Sequence, residues 1–303
     1  MVKLTRRQFA NLPVAALAAG AASLTLPAFA QPLSSSFTHS IPSTGEPLPP
    51  VGLGTAEVFN VADTATLQSA RAVVRALIDN GGKLIDTAST YGDAERILGD
   101  VIGPASLRAK LFIATKLESP DLEELKRSLN RLQTAKLDLL QLHNVRSPQQ
   151  SLGAFRDWKA QGVCRYIGIT STSHSAFAAV ESILRGEKPD FVQIDYSIDD
   201  REAEQRILPL AAEVKAGVLT ALPFGRGRLF RAVRDRPLPD WARGFAGSWA
   251  QFFLKYLLGD PRVTAVIPGT ADAAHMTDNL GAMRGALPDP DQRRQMVQFI
   301  ETL

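Results

Sequence analysis

The chain has 303 residues, 45% hydrophobic and 21% charged, a balance that excludes a disordered chain and suits one large or two ordinary globular domains. Its single cysteine, Cys164, excludes an intrachain disulfide, and a chain of this length can hold its core by burial alone. Three of the 34 basic residues (Lys3, Arg6 and Arg7) lie in the first thirty positions, and the remaining 31 face 31 acids, so residues 31–303 have no basic excess for nucleic acid.

In chain order, "MVKLTRRQFANLPVAALAAGAASLTLPAFA" opens on a basic stretch and continues through an Ala/Leu/Gly-rich run to Ala28-Phe29-Ala30. That is the pattern of a cleaved signal, and the consecutive Arg6-Arg7 is of the twin-arginine type. Pro13 and Pro27 break the apolar run, which is too short for a spanning helix. Residues 1–30 are therefore expected to engage the Tat export machinery and to be removed after Ala30. The expected mature chain is periplasmic or otherwise exported, without a stable membrane span. Residues 31–44, rich in Ser and Pro, read as a surface lead-in to a folded domain over 45–303.

From there the pattern is regular. Short apolar runs at 51–55, 83–88, 111–116, 137–143, 166–170, 191–196, 217–222 and 263–269 read as buried strands. Amphipathic segments lie between them, such as "TATLQSARAVVRALIDN" and "DLEELKRSLNRLQ", where Leu122, Leu125, Leu129 and Leu132 recur at helical spacing. Strand and helix alternating eight times predicts a parallel sheet, and the compact spacing predicts an α/β fold of the (β/α)8 TIM barrel type in a single domain. An open doubly wound sheet is the alternative, but "GLGTAE" lacks the third glycine of its usual fingerprint. Cys164, at the entry to the fifth run, reads as a small core residue.

The ends of the strands carry the chemistry. The second strand ends on Asp86, the third on Lys116 and the fourth on His143, with Tyr91 on the loop after the second. Each residue alone has an ordinary structural reading. On three successive strand ends they converge at the carboxyl rim, where barrel enzymes place their catalytic groups. A phenol is a weak acid at neutral pH, and a nearby ammonium favours its charged form. An acid beside the lysine holds that ammonium in place, and a histidine beside the phenol orients a carbonyl. These groups make a proton donor and a carbonyl clamp, which is half of a carbonyl reduction. The hydride has to come from a cofactor such as a reduced nicotinamide.

At this point the sequence resembles the aldo/keto reductase superfamily. The resemblance rests on "GEPLPPVGLGT", "LIDTASTYGDAERILG", "LFIATK", "LDLLQLH", "YIGIT", "FVQIDY", "LPFGRG" and "VIPGTADAAHMTDNL", in family order over about 45–285. It implies a barrel enzyme that reduces aldehydes or ketones to alcohols, with Asp86, Tyr91, Lys116 and His143 as its catalytic tetrad. It also implies NADP(H) as cofactor, with NAD(H) not excluded. The implied cofactor contacts begin with Gly54, Thr55 and Asp86. Thr170, Ser171 and Gln193 hold the nicotinamide amide. The loop Leu222, Phe224, Gly225, Arg226, Gly227 and Arg228 joins Pro268, Gly269 and Thr270 around the pyrophosphate, a pairing that also follows from glycine-freed amides and a helix start. Asp272, His275 and Asn279 lie toward the adenosine.

Two departures stand out. Thr170-Ser171 replaces the family's frequent Ser-Asn, and Ala221 stands where an aromatic often stacks on the nicotinamide. Either Phe224 substitutes for that aromatic, or the ring is held less tightly. A redox sensor or partner-binding protein of the same fold with low turnover is the alternative function. A metal-dependent hydrolase built on His143 and Asp86 is disfavoured by only four histidines and no H-x-H or H-E-x-x-H pattern.

Overall fold

The computed structural model describes residues 36–103, 107–145 and 152–303. The expected signal, residues 1–30, lies outside the described residues, and Ser34–Leu303 forms one compact unit. A short antiparallel hairpin comes first, β1 (His39–Ser40) with β2 (Pro47–Leu48). Eight parallel strands follow, each run of the sequence supplying one: β3 (Leu53–Gly54), β4 (Leu84–Asp86), β5 (Phe112–Leu117), β6 (Leu137–Leu142), β7 (Cys164–Ser171), β8 (Phe191–Asp195), β9 (Gly217–Ala221) and β10 (Ala265–Val266). Each pairs with the next in sequence order from β3 to β10. Parallel bridges Val51 to Val266 and Gly54 to Gly269 join the first strand to the last and close the sheet into a barrel. Closure needs glycine there, because a Cβ on Gly54 would stand 2.8 Å from the Ile267 carbonyl oxygen.

The helices fill the intervals. α1 (Thr64–Asp79) starts where Asp63 accepts from the Thr66 N–H, and α3 (Leu122–Arg131) where Asp121 accepts from the Glu123 N–H. Of the leucines at helical spacing around α3, Leu125 and Leu132 are buried, Leu129 is half-buried and Leu122 is exposed. The remaining helices are α2 (Ala94–Ile102), α4 (Gly153–Ala160), α5 (Phe177–Glu187), α6 (Glu202–Glu213), α7 (Arg228–Ala232), α8 (Trp249–Leu258), α9 (Ala273–Gly281) and α10 (Pro290–Glu301). No helix among the described residues is long and apolar enough to cross a membrane. Cys164 is buried, and burial pushes its thiol up to about 12, as suits a core residue.

Strand alternation divides the apolar residues into two sets. Leu84, Phe112, Ala114, Leu139, Tyr166, Phe191, Leu219 and Ala265 form one cluster inside the barrel, while Ile85, Ile113, Leu140, Ile167 and Val192 pack outward with the helices. The hairpin belongs to the inner set: Ile41 and Leu48 are buried in it. This corrects the surface reading of the lead-in for its described part. A barrel left open at its amino end would expose the Phe112, Tyr166 and Phe191 rings. The hairpin covers them and is held by polar contacts. The Tyr166 hydroxyl donates to Glu46 at 2.6 Å, Arg165 bonds both Glu46 and Asp138, and the His39 ring meets the Val263 carbonyl at 2.8 Å.

Truncating this plug removes apolar contact in a place that cannot collapse. Ile41→Ala is expected to cost about 2–5 kcal/mol, read as a lower denaturant midpoint with an unchanged slope.

Candidate active site

The alternation that builds the inner core also builds the site. Two residues beyond Leu84 on the same face is Asp86, two beyond Ala114 is Lys116, and two beyond Gln141 is His143. Gln193 and Thr170 follow Phe191 and Gly168 in the same way. The inner face is apolar at the amino end and turns polar at the carboxyl end, so these side chains share one rim.

At its centre the Lys116 Nζ donates to Asp86 Oδ2 at 2.5 Å and to the Thr87 carbonyl at 2.8 Å, with Lys116 only 1% exposed. Gln141 Nε2 donates to the other Asp86 oxygen at 3.1 Å. Gln141 was missed in the sequence, although a glutamine two places before His143 on an otherwise apolar strand marks the same inward face. Glu95 of "DTASTYGDAE" lies outside this group. It is buried behind the sheet, where it accepts from the Thr115 hydroxyl at 2.7 Å and ties α2 to β5.

Tyr91 comes from the loop after β4, and Gly92 fixes that loop. Gly92 has φ +54°, and a Cβ there would lie 2.5 Å from the Asn60 carbonyl oxygen. The Lys116 ammonium stands 4.8 Å from the centre of the Tyr91 ring, and the His143 ring meets the same ring edge-on at 5.7 Å between centroids. All four tetrad residues are thus brought together. Burial works against the Lys116 ammonium, but Asp86 and Tyr91 outweigh it and hold its pKa above the ordinary lysine value. Burial, and then the Lys116 charge, push His143 down to about 4, with Asp86 pulling the other way. His143 is therefore a neutral imidazole at neutral pH. Its Nδ1 lies 2.6 Å from Glu118 Oε1 and 3.5 Å from the Thr90 hydroxyl.

A cavity of about 830 Å³ opens over this group. Asp86, Tyr91 and His143 line it, together with Gly54, Thr55, Thr170, Gln193, Leu222, Phe224, Arg226, Gly227 and Gly269. Gln193 lines the cavity and is 3% exposed, and among the described residues its buried Nε2 has no partner, a spare donor of the kind that fits an amide oxygen of a nicotinamide. The expected cofactor line is thus partly assembled. The structure does not bring Ser171, Gly225, Arg228, Pro268, Thr270, Asp272, His275 or Asn279 to the cavity wall.

The reasons are local. Arg228 turns to Asp199, with Nε and Nη2 each 3.0 Å from its carboxylate. The Gly225 and Gly227 N–H groups bond the Leu222 and Phe224 carbonyls, so they are not free for an anion as expected. At the start of α9 the Asp272 carboxylate accepts from the Ala274 and His275 N–H groups, so the chain's own acid caps the expected anion site. The loop after β3 adds Ala56, Glu57, Val58 and Asn60. Among the described residues, His174, Asp195 and Asp200 gather ligand-type atoms within 4.8 Å, but His174 is engaged by Asp200 at 3.1 Å and Glu202 at 3.0 Å in an ion-pair network.

Residues 50–299 match the aldo/keto reductase family model. The chain belongs to the aldo/keto reductase family. It is 28% identical over 248 residues to the methylglyoxal reductase YeaE of Escherichia coli, covering 78% of this chain and 86% of that protein. It is 30% identical over 264 residues to the uncharacterized oxidoreductase YrpG of Bacillus subtilis, covering 69% of this chain and 80% of that protein. A crystal structure of an aldo-keto reductase from Klebsiella pneumoniae in complex with NADPH superposes with a TM-score of 0.72 at 26% identity, covering 88% of this chain and 95% of that one. The end of β9 carries no aromatic side chain. Ala221 lines the cavity, and the ring of Phe224 packs on Phe230 at 4.8 Å and on Phe253 at 6.4 Å. Phe224 is thus anchored to α7 and α8 at the cavity wall.

The neutral state of His143 has a consequence for stability. An unfolded chain takes up this proton near pH 6.5, whereas the fold resists it until about 4. The unfolded state therefore binds more protons across that window, and stability falls as pH drops through it. His143→Gln is expected to remove that part of the decline, on the order of 3 kcal/mol at its acid end. Denaturant midpoints of both proteins at pH 7 and pH 4.5 check this, and parallel losses would contradict it.

Proposed function

We propose that this protein is a reductase of aldehyde or ketone carbonyls that uses NADP(H), with NAD(H) as a weaker substitute, and that Tyr91 is its proton donor. The observation that carries the reading is the buried Lys116 ammonium, paired to Asp86 and set against the Tyr91 ring at the wall of a cavity. A reduced nicotinamide, when bound, supplies the hydride that no side chain can. Gln193 and Thr170 would hold its amide, and Gly269 would let its phosphates approach the backbone. Tyr91 gives its proton to the carbonyl oxygen. Lys116 offsets the charge left on the phenol, Asp86 and Gln141 hold Lys116 in place, and His143 fixes the orientation of the carbonyl compound. The Klebsiella relative with NADPH and the E. coli relative named as a methylglyoxal reductase support this cofactor and make 2-oxoaldehydes the first substrates to assay.

Tyr91→Phe is expected to lower carbonyl reduction by about 10²–10⁴-fold, with cofactor binding retained by fluorescence titration. Wild-type rates under chemistry-limited conditions would refute the assignment.

Preference between cofactors rests on the 2′-phosphate, which calls for cationic partners. The positions after β10 offer Gly269, Thr270 and His275, with the exposed Asp272 carboxylate between them. The expected preference for NADPH over NADH is therefore modest, about tenfold or ~1.4 kcal/mol. Asp272→Asn keeps a capping side chain on α9 and is expected to raise that ratio. Tighter binding of NADH by the unaltered protein would contradict this.

Export through the Tat machinery is proposed from Arg6-Arg7 and the site after Ala30. It suits a barrel that folds around a cytoplasmic cofactor before crossing a membrane. Replacing both arginines by lysine is expected to leave precursor in the cytoplasm, whereas mature protein in the periplasm would refute the signal.

A further inference from the structure

The bond from Gln141 to Asp86 skips a strand. Asp86 ends β4 and Gln141 lies on β6, with β5 between them. Side chains from alternate strands meet in this way inside a closed barrel, where they share a layer. Gln141 is fully buried and is not among the residues lining the cavity. A carboxylate only accepts, so the atom that meets Asp86 Oδ1 at 3.1 Å is the amide nitrogen. Among the described residues the amide oxygen, Oε1, has no hydrogen-bond partner. In register with Gln141 on the next strand is Gly168. A Cβ on Gly168 would stand 3.1 Å from Gln141 Cγ and 3.0 Å from the Phe191 carbonyl oxygen, so β7 gives up a side chain where the glutamine stem passes. We propose that Gln141 and Gly168 form one positioning unit, in which Gly168 makes the room and Gln141 holds the Asp86 carboxylate in the orientation that keeps Lys116 against Tyr91.

Both members of the unit weaken the fold. A glycine inside a strand has no side chain to pack, and a buried acceptor without a partner carries its desolvation penalty. Apolar side chains of matched size would avoid both, so packing alone gives no reason for this pair. What the pair provides is the second bond to Asp86. Lys116 Nζ takes Oδ2 and Gln141 Nε2 takes Oδ1, so the carboxylate is gripped at both oxygens and its plane is fixed. With Oδ1 bare, the carboxylate would be free to turn and would lose a bond that favours its charged form. The ammonium is tied to it and would follow, away from its place 4.8 Å from the centre of the Tyr91 ring. The effect on proton donation deepens the reductase reading above and rests on it, whereas the bond to Asp86 does not.

The experiment uses the full-length chain with NADPH and methylglyoxal. Gln141→Met keeps length and volume without the N–H. Its single-turnover rate is expected to fall about tenfold, with cofactor affinity unchanged because residue 141 is shut off from the cavity. Gln141→Glu separates a donor from a space-filler. Its new carboxyl donates to Asp86 only when protonated, and two acids that share a site hold one proton more tightly than either alone. The charged and titratable groups around Asp86 are Lys116 on β5, Tyr91 on the loop after β4 and His143 after β6, and His143 is pushed down to about 4, below the range used. The rate of Gln141→Glu relative to the unaltered protein is expected to rise about tenfold from pH 8 to pH 6, while the ratio for Gln141→Met stays level. Gly168→Ala is expected to slow turnover as Gln141→Met does, and to slow Gln141→Met no further. Wild-type turnover in Gln141→Met, a level ratio in Gln141→Glu, or additive losses in the double variant would overturn the proposal, and the two Gln141 variants decide it if Gly168→Ala does not fold. Denaturant midpoints of Gln141→Met, Asp86→Ala and both together test the bond without turnover: the double loss is expected to be smaller than the sum, and a simple sum would contradict the bond. Coupled midpoints in a protein that reduces no carbonyl would sink the reductase reading and the effect on proton donation together, and the bond to Asp86 would stand.

Discussion

An ammonium and a carboxylate lie in contact at the top of an apolar barrel, where Lys116 and Asp86 are both almost fully buried. Such a pair is costly to desolvate, and replacing it with apolar side chains is often neutral or stabilising. Stability alone therefore gives little reason to keep it. The fold supplies what the pair needs to persist: the Thr87 carbonyl on the ammonium and the Gln141 amide on the second carboxylate oxygen. With those bonds made, a fixed positive charge stands beside the Tyr91 ring and beside His143. It adds to burial in keeping the histidine neutral, and it places a cation next to the phenol. The cavity and the orphaned Gln193 amide both acquire a chemical meaning from that charge.

Much of this arrangement was legible in the sequence because strand geometry is simple. Strands buried on both faces read as continuous apolar runs, and all eight runs became strands in the order expected. Within such a run, a polar residue at the carboxyl end is conspicuous, which is how Asp86, Lys116 and His143 were found. Gln141 and Glu118 were not found, because a glutamine inside a strand and a glutamate after it have ordinary readings until their partners are known. The hairpin was misread for a related reason. "FTHSIPSTGEPL" is polar on average, and only Ile41 and Leu48 reveal that it plugs a barrel.

The cofactor side was less legible, and the causes are local hydrogen bonds that composition does not disclose. Glycines and arginines in "FGRGR" suggested free amides and free charges. In the fold the Gly225 and Gly227 amides close turns on Leu222 and Phe224, and Arg228 answers Asp199. The acid in "PGTAD" caps its own helix, so the favourable end of α9 is already supplied with a negative charge. What reaches the cavity from this side is Leu222, Pro223, Phe224, Gly227, Ile267 and Gly269, with Arg226 reaching across to Glu57 at 3.7 Å.

The central claim is that this rim transfers a hydride from a reduced nicotinamide to a carbonyl carbon while a protein group protonates the oxygen. Single turnover with cofactor deuterated at C4 of the nicotinamide, in ordinary water, tests it most directly with a 2-oxoaldehyde as acceptor. The account expects one deuterium bonded to the carbon that was the carbonyl, a slower rate than with unlabelled cofactor, and no deuterium lost to solvent. Product without deuterium at that carbon, or cofactor oxidation without alcohol formed, would contradict it.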